Sequence, residues 1–138
     1  MFIKKLACCL SALVLTCCAY AESRKVTVKV TDIKKTGPIY VAAYLAAEGT
    51  QTTEAAATAT ATPEKKAKEC SLELTVEDGP YIIMVLQDLN ENGQMDLNVL
   101  KMPKEPYGFS GYTGGIPSDM SKFIVNVASD MTVEIGLH

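Results

Sequence analysis

The chain has no tryptophan and a single histidine, His138, at its last position. A terminal residue is a poor place for a preorganised base, so imidazole-based catalysis has no candidate. Cysteine is almost as scarce. Of five cysteines, Cys8, Cys9, Cys17 and Cys18 fall near the start, which leaves Cys70 alone in the remainder. One thiol excludes an internal disulfide there, so stability must come from a buried core. Ser110 has no histidine near it in sequence, and Met84, Met95 and Met102 have no His or Cys companions. A serine triad and a copper site therefore lack their parts, and the methionines read as core filler.

No apolar run approaches the roughly 20 residues that a spanning helix needs. The run Leu6 to Thr16 follows Lys4 and Lys5 and precedes Ala19-Tyr20-Ala21. A basic start, a short apolar stretch and small residues at the cleavage positions describe a secretory signal peptide, residues 1–21. The expected location is periplasmic or secreted. A lipid-modified Cys17 or Cys18 is the rival reading, with Thr16 or Cys17 a poor match before the modified cysteine. Loss of Lys4 and Lys5 takes the net charge from −3 to −5. A mildly acidic mature chain argues against nucleic acid and anionic membrane as partners, and no transmembrane segment remains.

What is present is alternation. Val26, Val28 and Val30 share one face of a half-buried strand, with Lys25, Thr27 and Lys29 on the other. Cys70, Leu72, Leu74 and Val76 repeat the pattern. Ile39 to Leu45 and Tyr81 to Leu86 are continuous apolar runs of strand length and read as central strands. Phe123, Val125 and Val127, then Val133, Ile135 and Leu137, complete the set. Residues 48–69 differ: Thr50 to Thr62 is almost wholly Ala and Thr. This stretch reads as a mobile surface insertion, with a Thr-rich glycosylated segment as the alternative. The whole predicts one all-β domain over residues 22–138, a small antiparallel β-sandwich, immunoglobulin-like or prealbumin-like, of about 6–8 strands.

The segment from Asp88 to Ser110 carries the candidate site. Asp88, Asn90, Asn92 and Asp96 place oxygen side chains at alternate positions around Gly93. With the Gln94 carbonyl, they form the first half of a calcium loop, and Glu105 could add a carboxylate. The twelfth position is Val99 rather than Glu, and a strand precedes the loop instead of a helix. The alternative is an Asx-rich turn whose side chains bind their own backbone. Lys104 and Glu105 read as a surface pair, and Tyr107 and Phe109 as either an aromatic platform or pins for the loop. These four are the candidate binding residues. No catalytic residue is assigned.

The motifs Gln87-Asp88-Leu89-Asn90-Glu91-Asn92-Gly93-Gln94-Met95-Asp96 and Pro103-Lys104-Glu105-Pro106-Tyr107-Gly108-Phe109-Ser110 resemble those of a bacterial secreted family, domain of unknown function 2141. Gly79 and Tyr81 match that family's strand entry. Gln87 stands where the family often has His, and Lys101-Met102 where it often has Gly-Ile. The resemblance implies an exported sandwich and no activity. The expected function is an exported binding or structural module with a calcium-stabilised loop and an envelope protein or glycan as partner. The rival is a hydrolase using Asp88, Asp96 or Glu105 as acid and base.

Overall fold

The structure, a computed structural model, describes residues 21–47, 50–51 and 53–138. Of residues 1–21, expected from the sequence to be a signal peptide, all but Ala21 lie outside the described residues. Nine strands are named among the described residues: β1 (Ser23–Thr31), β2 (Ile39–Ala47), β3 (Thr50–Gln51), β4 (Ala57–Ala61), β5 (Cys70–Glu77), β6 (Gly79–Gln87), β7 (Tyr107–Phe109), β8 (Ile124–Val127) and β9 (Met131–Gly136). A 3₁₀ turn, Met120–Phe123, leads into β8. Among the described residues no helix is long and apolar enough to cross a membrane.

The strands form two sheets, as the alternating pattern requires. The smaller has the order β5-β1-β9. The larger is built on β2 and β6, with β3 and β4 beside β2 and with β7 and β8 beside β6. Val26, Val28 and Val30 face Leu74, Leu72 and Cys70 across the β1–β5 ladder. They meet Val41, Ala43, Tyr81, Ile83 and Val85 of the other sheet in one buried cluster. Burying such branched side chains stabilises by roughly 1.5–3 kcal/mol each. One pair departs from the antiparallel expectation: β1 and β9 run parallel, with Val28 opposite Val133. The chain reaches β9 from the other sheet, so no tight hairpin dictates its direction.

The Ala/Thr stretch is partly strand. Residues 57–61 pair with β2, Val41 opposite Ala59. Ala57, Ala59 and Ala61 are partly buried against the core, and Thr58 and Thr60 are exposed. The period-two pattern is real, but alanine is too small to announce it. Cys70, at the start of its strand, is half-buried rather than fully enclosed, and burial pushes its thiol pKa up.

Three connections meet at one end of the sandwich: residues 32–38 after β1, 62–69 after β4 and 88–106 after β6. Ile33, buried among the core residues, donates its N–H to the Lys68 carbonyl at 3.0 Å and ties the first two together. The Asp88 N–H donates to the Pro38 carbonyl at 2.9 Å and ties in the third. At this end Tyr107 and His138 exchange backbone hydrogen bonds, 3.3 and 2.9 Å. The β7 strand thus bridges β6 of one sheet and the end of β9 in the other.

Candidate functional site

Strand β6 delivers Gln87 and Asp88, both fully buried, to this pole. Asp88 folds the loop around itself. Its carboxylate accepts the Gly93 N–H at 2.6 Å and the Asn92 N–H at 3.3 Å. Gly93 has φ 74, the left-handed region that glycine enters without strain. Asn90 Oδ1 accepts the Asn92 N–H at 3.3 Å, and Asn92 Oδ1 accepts the Gln94 N–H at 3.0 Å. These are Asx turns, and they fix the alternate positions read from the sequence.

Glu105 comes from the far side of the loop and is buried as well. Oε1 accepts the Leu89 N–H at 2.9 Å, and Oε2 accepts the Asp96 N–H at 3.3 Å. The Lys104 N–H returns to the Asp96 carbonyl at 2.8 Å. Lys104-Glu105 is therefore not a surface pair. Glu105 points into the loop while Lys104 is exposed. The Asp96 carboxylate accepts the Asn90 amide at 2.5 Å and the Asn92 amide at 3.0 Å. Between Asp96 and Glu105 the chain makes a small hairpin. Leu97 bridges Pro103, and Asn98 Oδ1 accepts the N–H groups of Leu100 and Met102 at 2.8 and 3.0 Å.

The donor set suits a hard cation by type: carboxylates of Asp88 and Asp96, side-chain oxygens of Asn90 and Asn92, and the Gln94 carbonyl. In this arrangement the amide NH₂ groups of Asn90 and Asn92 occupy the Asp96 carboxylate. A cation there would require those amides to turn end for end. Among the described residues no group of three His, Cys, Asp or Glu side chains is arranged to hold a metal.

Tyr107 and Phe109 do not join Lys104 and Glu105. They enter an aromatic cluster with Tyr112, Phe123 and His138. Tyr107 stacks on Tyr112 with centroids 5.6 Å apart, Phe109 stacks on Phe123 at 5.7 Å, and His138 meets Tyr112 edge-on at 5.0 Å. The Tyr112 hydroxyl contacts that of Tyr107 at 3.0 Å and donates to the Gly115 carbonyl at 2.5 Å. Burial and the Tyr107 hydroxyl push the Tyr112 pKa up to about 12. Ser110, also buried, accepts the Ile83 N–H at 3.2 Å and donates to the Phe123 carbonyl at 2.5 Å, a structural bridge rather than a nucleophile's setting.

Sequence reasoning missed the loops around this pair of motifs. Gln87 Nε2 donates to the Lys35 carbonyl at 2.8 Å and to that of Gly37 at 3.4 Å, bracing the loop after β1 from below. Above this brace lies an open cavity of about 730 Å³ lined by Lys34, Lys35, Lys66 and Lys68. A second cavity, about 230 Å³, shares Asp32, Lys34 and Lys35 with it and adds Lys104, Glu105 and His138. The Lys34–Lys35 pair and the Lys66–Lys68 pair stand 31 positions apart in sequence, and the Ile33–Lys68 tie brings them together.

A two-sheet β-sandwich with a loop-bearing pole and an Asx-rich motif stapled by buried carboxylates defines a small all-β domain with its polar loops gathered at one end. The chain belongs to the family described as uncharacterized protein conserved in bacteria, domain of unknown function 2141, whose model matches residues 28–134. No curated protein and no solved structure matches the chain.

Proposed function

We propose that the chain is an exported binding module of the periplasm or cell exterior, which meets an envelope protein or glycan through its loop-bearing pole and performs no reaction. One observation carries the reading. The three carboxylates that a hydrolase would use, Asp88, Asp96 and Glu105, are all engaged by N–H donors of the loop itself. An acid or base must present its oxygen to a substrate. Oxygens committed to backbone N–H groups, as in Asp88 and Glu105, or to the Asn90 and Asn92 side-chain amides, as in Asp96, stabilise the loop instead, at about 1.5–3 kcal/mol for each hydrogen bond to a charged group. Calcium is proposed as a stabiliser of the Asp88 loop, not as a catalytic ion.

The test is residue-resolved NMR of the chain from residue 22, titrated with envelope glycans and peptidoglycan fragments. Shift changes should gather in residues 32–38, 62–69 and 88–106. Changes gathered at the opposite pole, around Glu77 and Asp78, would contradict the proposal.

A further inference from the structure

Strand β4 lies at an edge of the larger sheet. Its five residues, Ala57-Thr58-Ala59-Thr60-Ala61, pair with β2 on one side. Among the described residues no backbone partner meets them on the other side. An edge strand turns the N–H and C=O groups of alternate residues outward, where they bond to water or to another strand. Proteins ordinarily blunt such an edge with charge, proline or a bulge. Residues 57–61 carry no charged side chain, no proline and no left-handed residue. The edges of the smaller sheet differ: β5 exposes Glu73 and Glu77, and β9 exposes Glu134.

The sequence of β4 reads the same in both directions. Antiparallel pairing of two copies about a twofold axis at Ala59 sets Ala59 against Ala59 of the second copy, Thr58 against its Thr60 and Ala57 against its Ala61. All five residues are then paired, and directly opposed residues share a face. Thr58 and Thr60 are exposed on the outer face, and Ala57, Ala59 and Ala61 are partly buried against the core. Hydroxyls therefore meet hydroxyls outside, a favourable cross-strand pair, and methyl groups meet methyl groups inside. Ile124-Val125-Asn126-Val127 of β8, on the other side of the sheet, lacks this symmetry. Recognition of a foreign extended peptide draws its specificity from pockets for alternate side chains. On β4 those positions are methyl groups and short hydroxyls.

We propose that β4 is a strand-addition edge for a second copy of this chain, the two β4 strands running antiparallel about Ala59 and joining the two larger sheets into one. A twofold strand pairing is isologous and closes, so association stops at a dimer. Five paired residues make a small interface, of the weak and transient class. The pairing uses neither loop 32–38 nor loop 88–106, so self-association and binding at the loop-bearing pole are tested separately.

The experiment is sedimentation equilibrium of the chain from residue 22, which holds all nine strands, between about 10 μM and about 1 mM, the range of weak contacts. The weight-average mass should rise toward that of a dimer. Thr58→Lys with Thr60→Lys opposes like charges at both outer pairs and should lower the association constant about tenfold. Thr58→Lys with Thr60→Glu opposes unlike charges at both and should restore association, which added salt then weakens. Both positions are exposed, so neither double variant should move the melting temperature. A chain that stays monomeric at the highest concentration would overturn the proposal. So would a first double variant that associates like the unmodified chain, or a second no stronger than the first. A monomeric chain whose residues 57–61 shift in NMR on adding a synthetic Ala-Thr strand peptide would overturn it too, giving the edge to a foreign extended segment.

Discussion

Gly37 lies directly against the carbonyl of Asp88: a Cβ at Gly37 would stand 2.7 Å from that oxygen. The loop after β1 and the Asp88 loop are packed backbone to backbone, and the Asp88 N–H donates to the Pro38 carbonyl beside this contact. Gly37→Ala should therefore push the two loops apart and destabilise by about 1–3 kcal/mol, as overpacking does. A urea midpoint equal to that of the unmodified chain would mean that the loops are free to separate.

The strand pairing of Ala59 with Val41 makes a second prediction. Ala59→Asp places a carboxylate toward the core and should destabilise by about 1–3 kcal/mol. Thr58→Asp, on the exposed face, should stay within about 0.5 kcal/mol. Equal effects from the two would mean that residues 57–61 are not held as a strand.

Tyr112 supplies a pH dependence. Its pKa is raised to about 12, by burial first and by the Tyr107 hydroxyl second. A group with a raised folded pKa stabilises fully below its unfolded pKa, about 10 for tyrosine. That contribution is lost as pH rises from about 10 to about 12. An ultraviolet titration should show one phenol ionising after the rest, and Tyr112→Phe should remove this late step. A single transition near 10 would contradict the described burial.

Calcium in the Asp88 loop should bind weakly, with Kd on the order of 10⁻⁴ to 10⁻³ M, because only two carboxylates belong to the core motif. At millimolar calcium the tighter end gives about 1.4 kcal/mol by mass action. That corresponds to a melting temperature higher by roughly 3–6 °C. Asp96→Asn should abolish the shift, and magnesium should do less. An unchanged melting curve in millimolar calcium would reduce the loop to its Asx turns.

The fold was legible where side chains are large and alternate. Val26 to Val30 and Leu72 to Val76 announce their faces, and the apolar runs of β2 and β6 mark the central strands of the larger sheet, but not burial on both faces: Tyr40 is exposed and Ala42, Tyr44, Met84 and Leu86 are only partly buried. Strand β4 was not, because Ala57, Ala59 and Ala61 carry too little apolar surface to separate a strand from a loop. Strand β7 was not either, because three residues in a Pro-containing segment carry no period, and its pairing depends on Leu86 and His138 far along the chain. The oxygen spacing from Asp88 to Asp96 did predict a wrapped loop, and Glu105 does return to it. Which atoms fill that loop depends on rotamers of Asn90 and Asn92 that no sequence specifies. The lysine groove was invisible because Lys34 and Lys66 meet only through tertiary contact.

The claim that the buried carboxylates hold the loop rather than act on a substrate is tested most directly at Glu105. Glu105→Gln keeps the shape, but turns one acceptor oxygen into an NH₂ facing an N–H of Leu89 or Asp96. Equilibrium urea unfolding of this variant beside the unmodified chain should show a loss of about 1.5–3 kcal/mol, the worth of a buried hydrogen bond to a charged acceptor. Acids and bases of active sites are held at the expense of stability, and neutralising one leaves a protein as stable or more so. Unchanged or increased stability in Glu105→Gln would contradict the structural role and turn attention to the hydrolase reading.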